Sequence, residues 1–157
     1  MNKDLILEQL FSNVNIELTK IKQAYNTTQN LVKTGDLKSD GKYDTRSTEA
    51  NYLANGQRQR IAELEQELEL LGEVNLKGKR KSISIGSLVE IKLNDHKRKY
   101  FIAPTAGGTM VNINGEVVLV ISVFSPIGDA VLGLNKEESF EVEVKGEMRE
   151  YQVISFS

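Results

Sequence analysis

Two carboxylates four residues apart, Asp36 and Asp40, stand in the glycine- and charge-rich stretch KTGDLKSDGKYD, Lys33 to Asp44. Carboxylates at such a place present negative oxygens to whatever the stretch enters. They also have a local use. Asp40 or Asp44 can cap the start of a helix and favour its positive dipole end, while Gly35 can end the helix before it. Both readings stay open from the residues alone. Lys33, Lys38 and Lys42 balance Asp36, Asp40 and Asp44.

Elsewhere the chemistry-bearing residues are sparse. The chain has no cysteine, which excludes disulfides and thiolate metal sites, and His96 alone cannot anchor a histidine-rich metal site. Ser122 and Ser125 have no histidine nearby in the sequence to activate them. Gly107, Gly108, Gly128 and Gly133 form neither a dinucleotide fingerprint nor a phosphate-binding loop, and they read as turn and cap residues. The net charge of −2 argues against broad binding to free nucleic acid. Residues 1–75 hold nine Lys/Arg and twelve Asp/Glu, and residues 76–157 hold eleven and ten, so neither half is polarised. No run of about 18 apolar residues occurs, so no membrane helix and no membrane partner are expected. The first residues, MNKDLILEQLFSNVN, carry a charge in their first apolar run and no small-residue cleavage site, which argues against a secretory signal. The expected location is cytoplasmic.

Two long helices flank the carboxylates. Leu7, Leu10, Val14, Leu18, Ile21 and Tyr25 make one apolar stripe at three- and four-residue spacing, which predicts a helix from Asp4 to about Lys33. The stripe thins beyond Tyr25. Ala50, Leu53, Gln57, Ile61, Leu64, Leu68 and Leu71 predict a second helix from about Tyr43 to Leu71. Joined by a short polar loop, the two form an antiparallel coiled-coil hairpin with its tip at residues 33–44. Glu63, Glu65, Glu67 and Glu69 read as a solvated face. The hairpin occupies residues 1–75, and the basic stretch NLKGKRK, ending at Lys81, supplies a solvated linker over 76–81.

Residues 82–157 change to strand-like patterning. Leu88–Leu93, Lys99–Ala103, Thr109–Ile113, Val117–Val123, Phe140–Val144 and Glu150–Phe156 are the expected strands, and Asn114-Gly115 is a two-residue hairpin signal. Val117–Val123, apolar on both faces, is expected to be central. Ser125 as cap and Pro126 in the first turn open a short helix that stops at Gly133. The fold class is α+β: a helical hairpin followed by an antiparallel sheet crossed by one short helix.

Three segments carry a resemblance: GDLKSDGKY (Gly35–Tyr43), RIAELEQEL (Arg60–Leu68) and ISVFSPIGDAVLGLNKEESFEV (Ile121–Val142). In this order they resemble the Gre transcript-cleavage factors of bacterial RNA polymerase, over nearly the whole chain. The SPIGDAVLG segment is the most specific part. The resemblance implies a C-terminal domain similar to the FK506-binding fold. That domain would dock at the rim of the polymerase secondary channel, with Ser125, Pro126, Ile127 and Gly128 at the contact. The hairpin would enter the channel, with Lys38 and Lys42 also at the partner. In the family an acidic tip helps to hold the second Mg2+ of the polymerase active site and orients the water that hydrolyses backtracked RNA. Asp36 falls on the tip aspartate and Ser39 where the glutamate is expected, with Asp40 one residue later. Asp36 and Asp40 are therefore the candidate catalytic and metal-binding pair, acting only with the polymerase. A serine hydroxyl is a poor Mg2+ ligand beside a carboxylate, and a neutral tip attracts a divalent cation less well.

The implied protein is an accessory factor, not an enzyme in itself. It has no cofactor of its own, contacts backtracked RNA only inside the complex, and is a monomer. Two forms remain open: one that stimulates cleavage through Asp36 and Asp40, and one that occupies the channel without cleavage and modulates pausing or initiation. A third reading, a peptide-binding or prolyl isomerase module, would follow from the C-terminal fold alone, which does not imply that activity.

Overall fold

The computed structural model describes residues 2–34 and 45–157. The expected tip acids Asp36 and Asp40, with Lys38, Ser39 and Lys42, lie outside the described residues, as do the caps assigned to Gly35 and Asp44. Two compact units divide the chain: Ser12–Glu69, and Met1–Phe11 together with Leu70–Ser157.

Helix α1 runs Lys3–Thr34 and helix α2 Thr45–Gly72, each uninterrupted by proline. Within Ser12–Glu69 the buried seam holds Val14, Leu18 and Thr28 on α1 and Ala54, Gln57 and Leu64 on α2. On α2 positions 50, 54, 57, 61, 64 and 68, each buried or half-buried, alternate steps of four and three, the spacing of a coiled-coil seam, with half-buried 60 and 67 flanking it. This alternation corrects the sequence reading at one place. Leu53 is 55% exposed, and Ala54 takes the seam position at 2%. Period outweighs hydrophobicity there, because one residue turns a side chain by about 100° around the helix. Near the start of α1, Ile6 is buried and the expected Leu7 only half-buried.

Ion pairs flank the seam. Arg60 bridges Glu17 at 2.7 Å and Glu63 at 3.2 Å, and Lys22 reaches Glu65 at 3.5 Å. Two of the four glutamates expected to be simply solvated are therefore paired. The hydrogen bonds that Arg60 donates to Glu17, the main cause, and to Glu63 raise its pKa. All these side chains are substantially exposed, and such pairs contribute about 1 kcal/mol or less each. The Arg58 guanidinium lies 5.9 Å from the centroid of the Tyr25 ring.

The seam turns polar toward its distal end. Thr28 Oγ1 donates to the Ala24 carbonyl at 3.0 Å. Gln57 is 8% exposed, and among the described residues its Oε1 has no hydrogen-bond partner. An unpaired buried carbonyl oxygen opposes folding, so Gln57→Leu is expected to stabilise the hairpin by about 1 kcal/mol in urea denaturation.

The second unit carries a six-stranded sheet: β1 Leu88–Leu93, β2 His96–Ala103, β3 Met110–Ile113, β4 Glu116–Ser122, β5 Ser139–Val144 and β6 Glu147–Phe156, with helix α3 at Pro126–Val131. The order across the sheet is β3-β4-β2-β1-β6-β5. The pairings are antiparallel as expected except β2 with β4, which is parallel. The sheet is therefore mixed. The Asn114-Gly115 hairpin, with φ of 53° and 85°, inserts β4 rather than β3 beside β2. Strand β4, VVLVIS after its first residue, can bury both faces, whereas the four-residue β3 alternates buried and exposed and suits an edge.

Both faces of the sheet carry buried side chains. One face packs Ile91, Tyr100, Ile102, Ile121, Phe140, Tyr151 and Val153 together with Val131 of α3. The pleat and the pairings Phe101↔Leu88, Phe101↔Val120 and Val118↔Val111 place a second buried set on the other face.

The stretch before the sheet is a fastened segment rather than a wholly solvated linker. Lys77, Lys79 and Lys81 are exposed, but Arg80 is half-buried. Its Nη1 donates to Ser84 Oγ at 2.5 Å and its Nη2 to the Asn75 carbonyl. Gly86, at φ +92°, leaves the space this guanidinium uses: a Cβ there would lie 2.8 Å from Arg80 Nη2 and 2.8 Å from the Asn75 carbonyl oxygen. Burial, and after it the Arg80 charge, lower the pKa of Lys3.

Candidate functional site

Four of the sequence-selected residues, Ser125 to Gly128, form the joint between β4 and α3. Ser122 is its hub. Its carbonyl accepts from Ser125 N at 3.0 Å and from Ser125 Oγ at 2.7 Å, and its Oγ accepts from Phe124 N at 3.1 Å. Ser125 is the N-cap, with φ −74° and ψ 157°, and its Oγ accepts from Gly128 N at 3.0 Å. Pro126 occupies the first turn, where a missing N–H costs nothing, and is exposed. Gly128 is buried against Ser122. The Ser125 hydroxyl and Gly128 thus hold the joint together, and the side chains they present are Phe124, Pro126 and Ile127.

Phe124 is 86% exposed. The sequence reading did not single it out as a contact residue. A sequence signal existed. Phe124 precedes the N-cap, where an apolar residue usually packs against the fourth helical residue, and here that residue is Asp129. Without an apolar mate the ring stays in solvent.

Ile127 lines a cavity of about 340 Å³ on the α3 side of the sheet. Tyr100 and Tyr151 contribute to it, with Leu93 and Leu119 beside them. Tyr151 stacks on Phe140, with centroids 5.2 Å apart and planes at 14°. Burial, the leading cause, raises the pKa of Tyr100, while the Arg98 charge and hydrogen bond oppose the rise. Asn94, His96 and Arg98, all exposed, and half-buried Arg149 complete the polar lining, and no carboxylate lines this cavity. A broader hollow of about 730 Å³ shares Arg98 and Leu119 with it and extends to Met110 and Val117. There Lys99 pairs with Glu116 at 2.6 Å, which lowers the carboxyl pKa of Glu116.

Among the described residues no group of three or more His, Cys, Asp or Glu could hold a metal ion. No helix among them is long and apolar enough to cross a membrane. The arrangement presents an apolar hollow with a cationic lining beside an exposed helix start.

The family model for the transcription elongation factor GreA/GreB C-terminal domain matches residues 77–157, more than half of the chain. The chain belongs to the GreA/GreB family. The match covers the sheet, α3 and the Ser122–Gly128 joint. Comparison with curated proteins gives no match. Among solved structures the chain is similar to Thermus aquaticus Gfh1, with 20% identity over 93% of this chain and 92% of that one and a TM-score of 0.41. It is also similar to GreA factor homolog 1 (Gfh1) of Thermus thermophilus: 17% identity, 94% of each chain, TM-score 0.38. A GreA/GreB factor from Nitrosomonas europaea gives 16% identity over 70% of this chain and 92% of that one, TM-score 0.38. Two long N-terminal helices followed by a sheet with one short helix make up the Gre-like fold, and Gre-family factors act with RNA polymerase.

Proposed function

We propose that this GreA/GreB-family chain docks on RNA polymerase through the Phe124–Ile127 joint and the adjoining cavity, and modulates elongation by placing its helical hairpin in the secondary channel. The observation that carries this reading is Phe124. A large apolar ring held in solvent by a fully hydrogen-bonded joint is placed for contact with a partner. The joint lies in the segment matched by the family.

The tip donor set decides between the two forms of that function. Asp36 and Asp40 are carboxylates, but Ser39 stands where the family's glutamate is expected. A neutral hydroxyl fits a second Mg2+ poorly, and Lys33, Lys38 and Lys42 remove the net negative field. The set does not match what a cleaving tip needs. The favoured form is therefore a regulator that occupies the channel without stimulating cleavage, acting as a monomer and touching RNA only inside the complex.

The test uses a backtracked elongation complex, with polymerase binding and RNA cleavage measured on the same samples. The expected result is binding with no acceleration of cleavage. Cleavage that is accelerated by the parent chain and abolished by both Asp36→Ala and Asp40→Ala would replace this form with a displaced acid pair. Absence of binding would remove the polymerase from the account.

A further inference from the structure

The hairpin changes character at Tyr25 on α1 and Gln57 on α2. On the proximal side, residues 12–24 and 58–69, the seam buries Val14, Leu18 and Leu64. Both ion pairs between the helices among the described residues, Arg60–Glu17 and Lys22–Glu65, also lie there. On the distal side the buried positions are Thr28, Ala54 and Gln57, which remove far less apolar area from water than Leu or Val. Larger apolar residues occur in this stretch, Leu31, Tyr52 and Leu53, but all three are exposed. The distal backbone is weaker too. Thr27 Oγ1 and Thr28 Oγ1 each donate to the carbonyl four residues back at 3.0 Å, a bond that slightly destabilises and bends a helix. Thr27, Thr28 and Asn30 on α1 and Asn51, Asn55 and Gly56 on α2 are poor helix formers. Nothing lies within 4 Å of a Cβ added at Gly56, so no close approach requires that glycine.

We propose that the hairpin is two opening units in series: the distal unit, residues 25–34 with 45–57, opens and recloses as one block while residues 12–24 with 58–69 stay closed. The inference does not depend on the polymerase reading. Isolated helices shorter than about 12–15 residues are marginal in water, so each distal stretch stays helical only while the seam between the two holds. That seam has few buried apolar contacts, the condition under which a segment opens well below the free energy of global unfolding. Gln57 Oε1, buried without a partner, favours the open form, in which water satisfies it. Fraying is a different process, since it falls off residue by residue from a helix end. A block has a sharp border, set here by the Lys22–Glu65 pair and the buried Leu18 and Leu64. The closed fraction scales the apparent affinity for any partner that requires the closed hairpin.

The experiment is amide hydrogen exchange of the full chain, read over overlapping peptides by mass spectrometry. A double variant, Thr28→Val with Gln57→Leu, and the single variant Gly56→Ala are measured in parallel, with circular dichroism and thermal melting for each. In the parent, distal amides are expected to share one protection level, about 100-fold or more below that of the proximal unit. The double variant fills the seam and is expected to slow distal exchange about tenfold, leaving the proximal unit unchanged. Gly56→Ala leaves the seam untouched and is expected to slow distal exchange about fivefold through helix propensity alone. It keeps the test sound if the double variant disturbs the packing. Protection that rises smoothly inward from residues 34 and 45 is fraying and overturns the proposal, as does equal protection in the two halves. Distal exchange that neither variant slows overturns it as well.

Discussion

Gly128→Ala is expected to destabilise the second unit by about 3 kcal/mol or more, at the upper end of what overpacking costs. A Cβ at Gly128 would lie 1.9 Å from the Ser122 carbonyl oxygen, 2.8 Å from the Ser122 carbonyl carbon and 2.9 Å from Ser125 Oγ. Two of these are main-chain atoms, which cannot swing aside as a side chain would. Relief requires α3 to move off β4 and break the two bonds that the Ser122 carbonyl accepts. Val131, fully buried in the α3-side cluster, would be drawn out with it. Gly133→Ala is the internal control. That glycine has φ +80°, but nothing lies within 4 Å of its added Cβ, so only backbone strain of about 1–2 kcal/mol applies. Thermal melting should rank the variants, with Gly128→Ala lowering the midpoint by roughly 10–20 °C. Equal losses for the two glycines would show that the contact with Ser122 is not what limits position 128. Since Phe124 and Ile127 are carried by the same joint, Gly128→Ala is also expected to lose partner binding.

Phe101→Ala is expected to cost about 3–5 kcal/mol, the range for emptying a large buried aromatic site. Phe101 is completely buried, yet it does not belong to the α3-side cluster. Its register partners are Leu88 on β1 and Val120 on β4, both buried. Truncation therefore opens a cavity on the face away from α3. Phe101→Leu retains most of the volume and should lose about 1.5 kcal/mol or less. Urea titration distinguishes the cases, provided the slope is unchanged. A loss below about 1 kcal/mol for Phe101→Ala would mean that this face collapses freely around the missing ring.

Much of the architecture was legible in the residues. The two helices followed from unbroken three- and four-residue spacing, and β1 was read at its observed bounds. The Asn114-Gly115 turn was legible because few other pairs tolerate two successive positive φ values. The α3 start was legible because Ser-Pro is a chemical start signal in which the hydroxyl and the missing N–H both have local roles. Of the candidate site, Ser125 and Pro126 were legible for that reason. Arg98 and Arg149 were not, because they are 51 positions apart and only the β2-β1-β6 order brings them to one cavity.

The residues alone determined the elements, their sequence along the chain and the family resemblance, because these depend on spacing within a few residues. Tertiary structure decided the parallel β2–β4 pair, since strand order is set by which strand buries two faces. It decided that Ala54 rather than Leu53 enters the seam, since a continuous heptad has one register. It made Arg80 a fastener rather than a solvated charge, because Asn75, Ser84 and Gly86 close around it. It left Phe124 in solvent, because the helix start that follows it offers Asp129, not an apolar residue, at the position that would cover the ring.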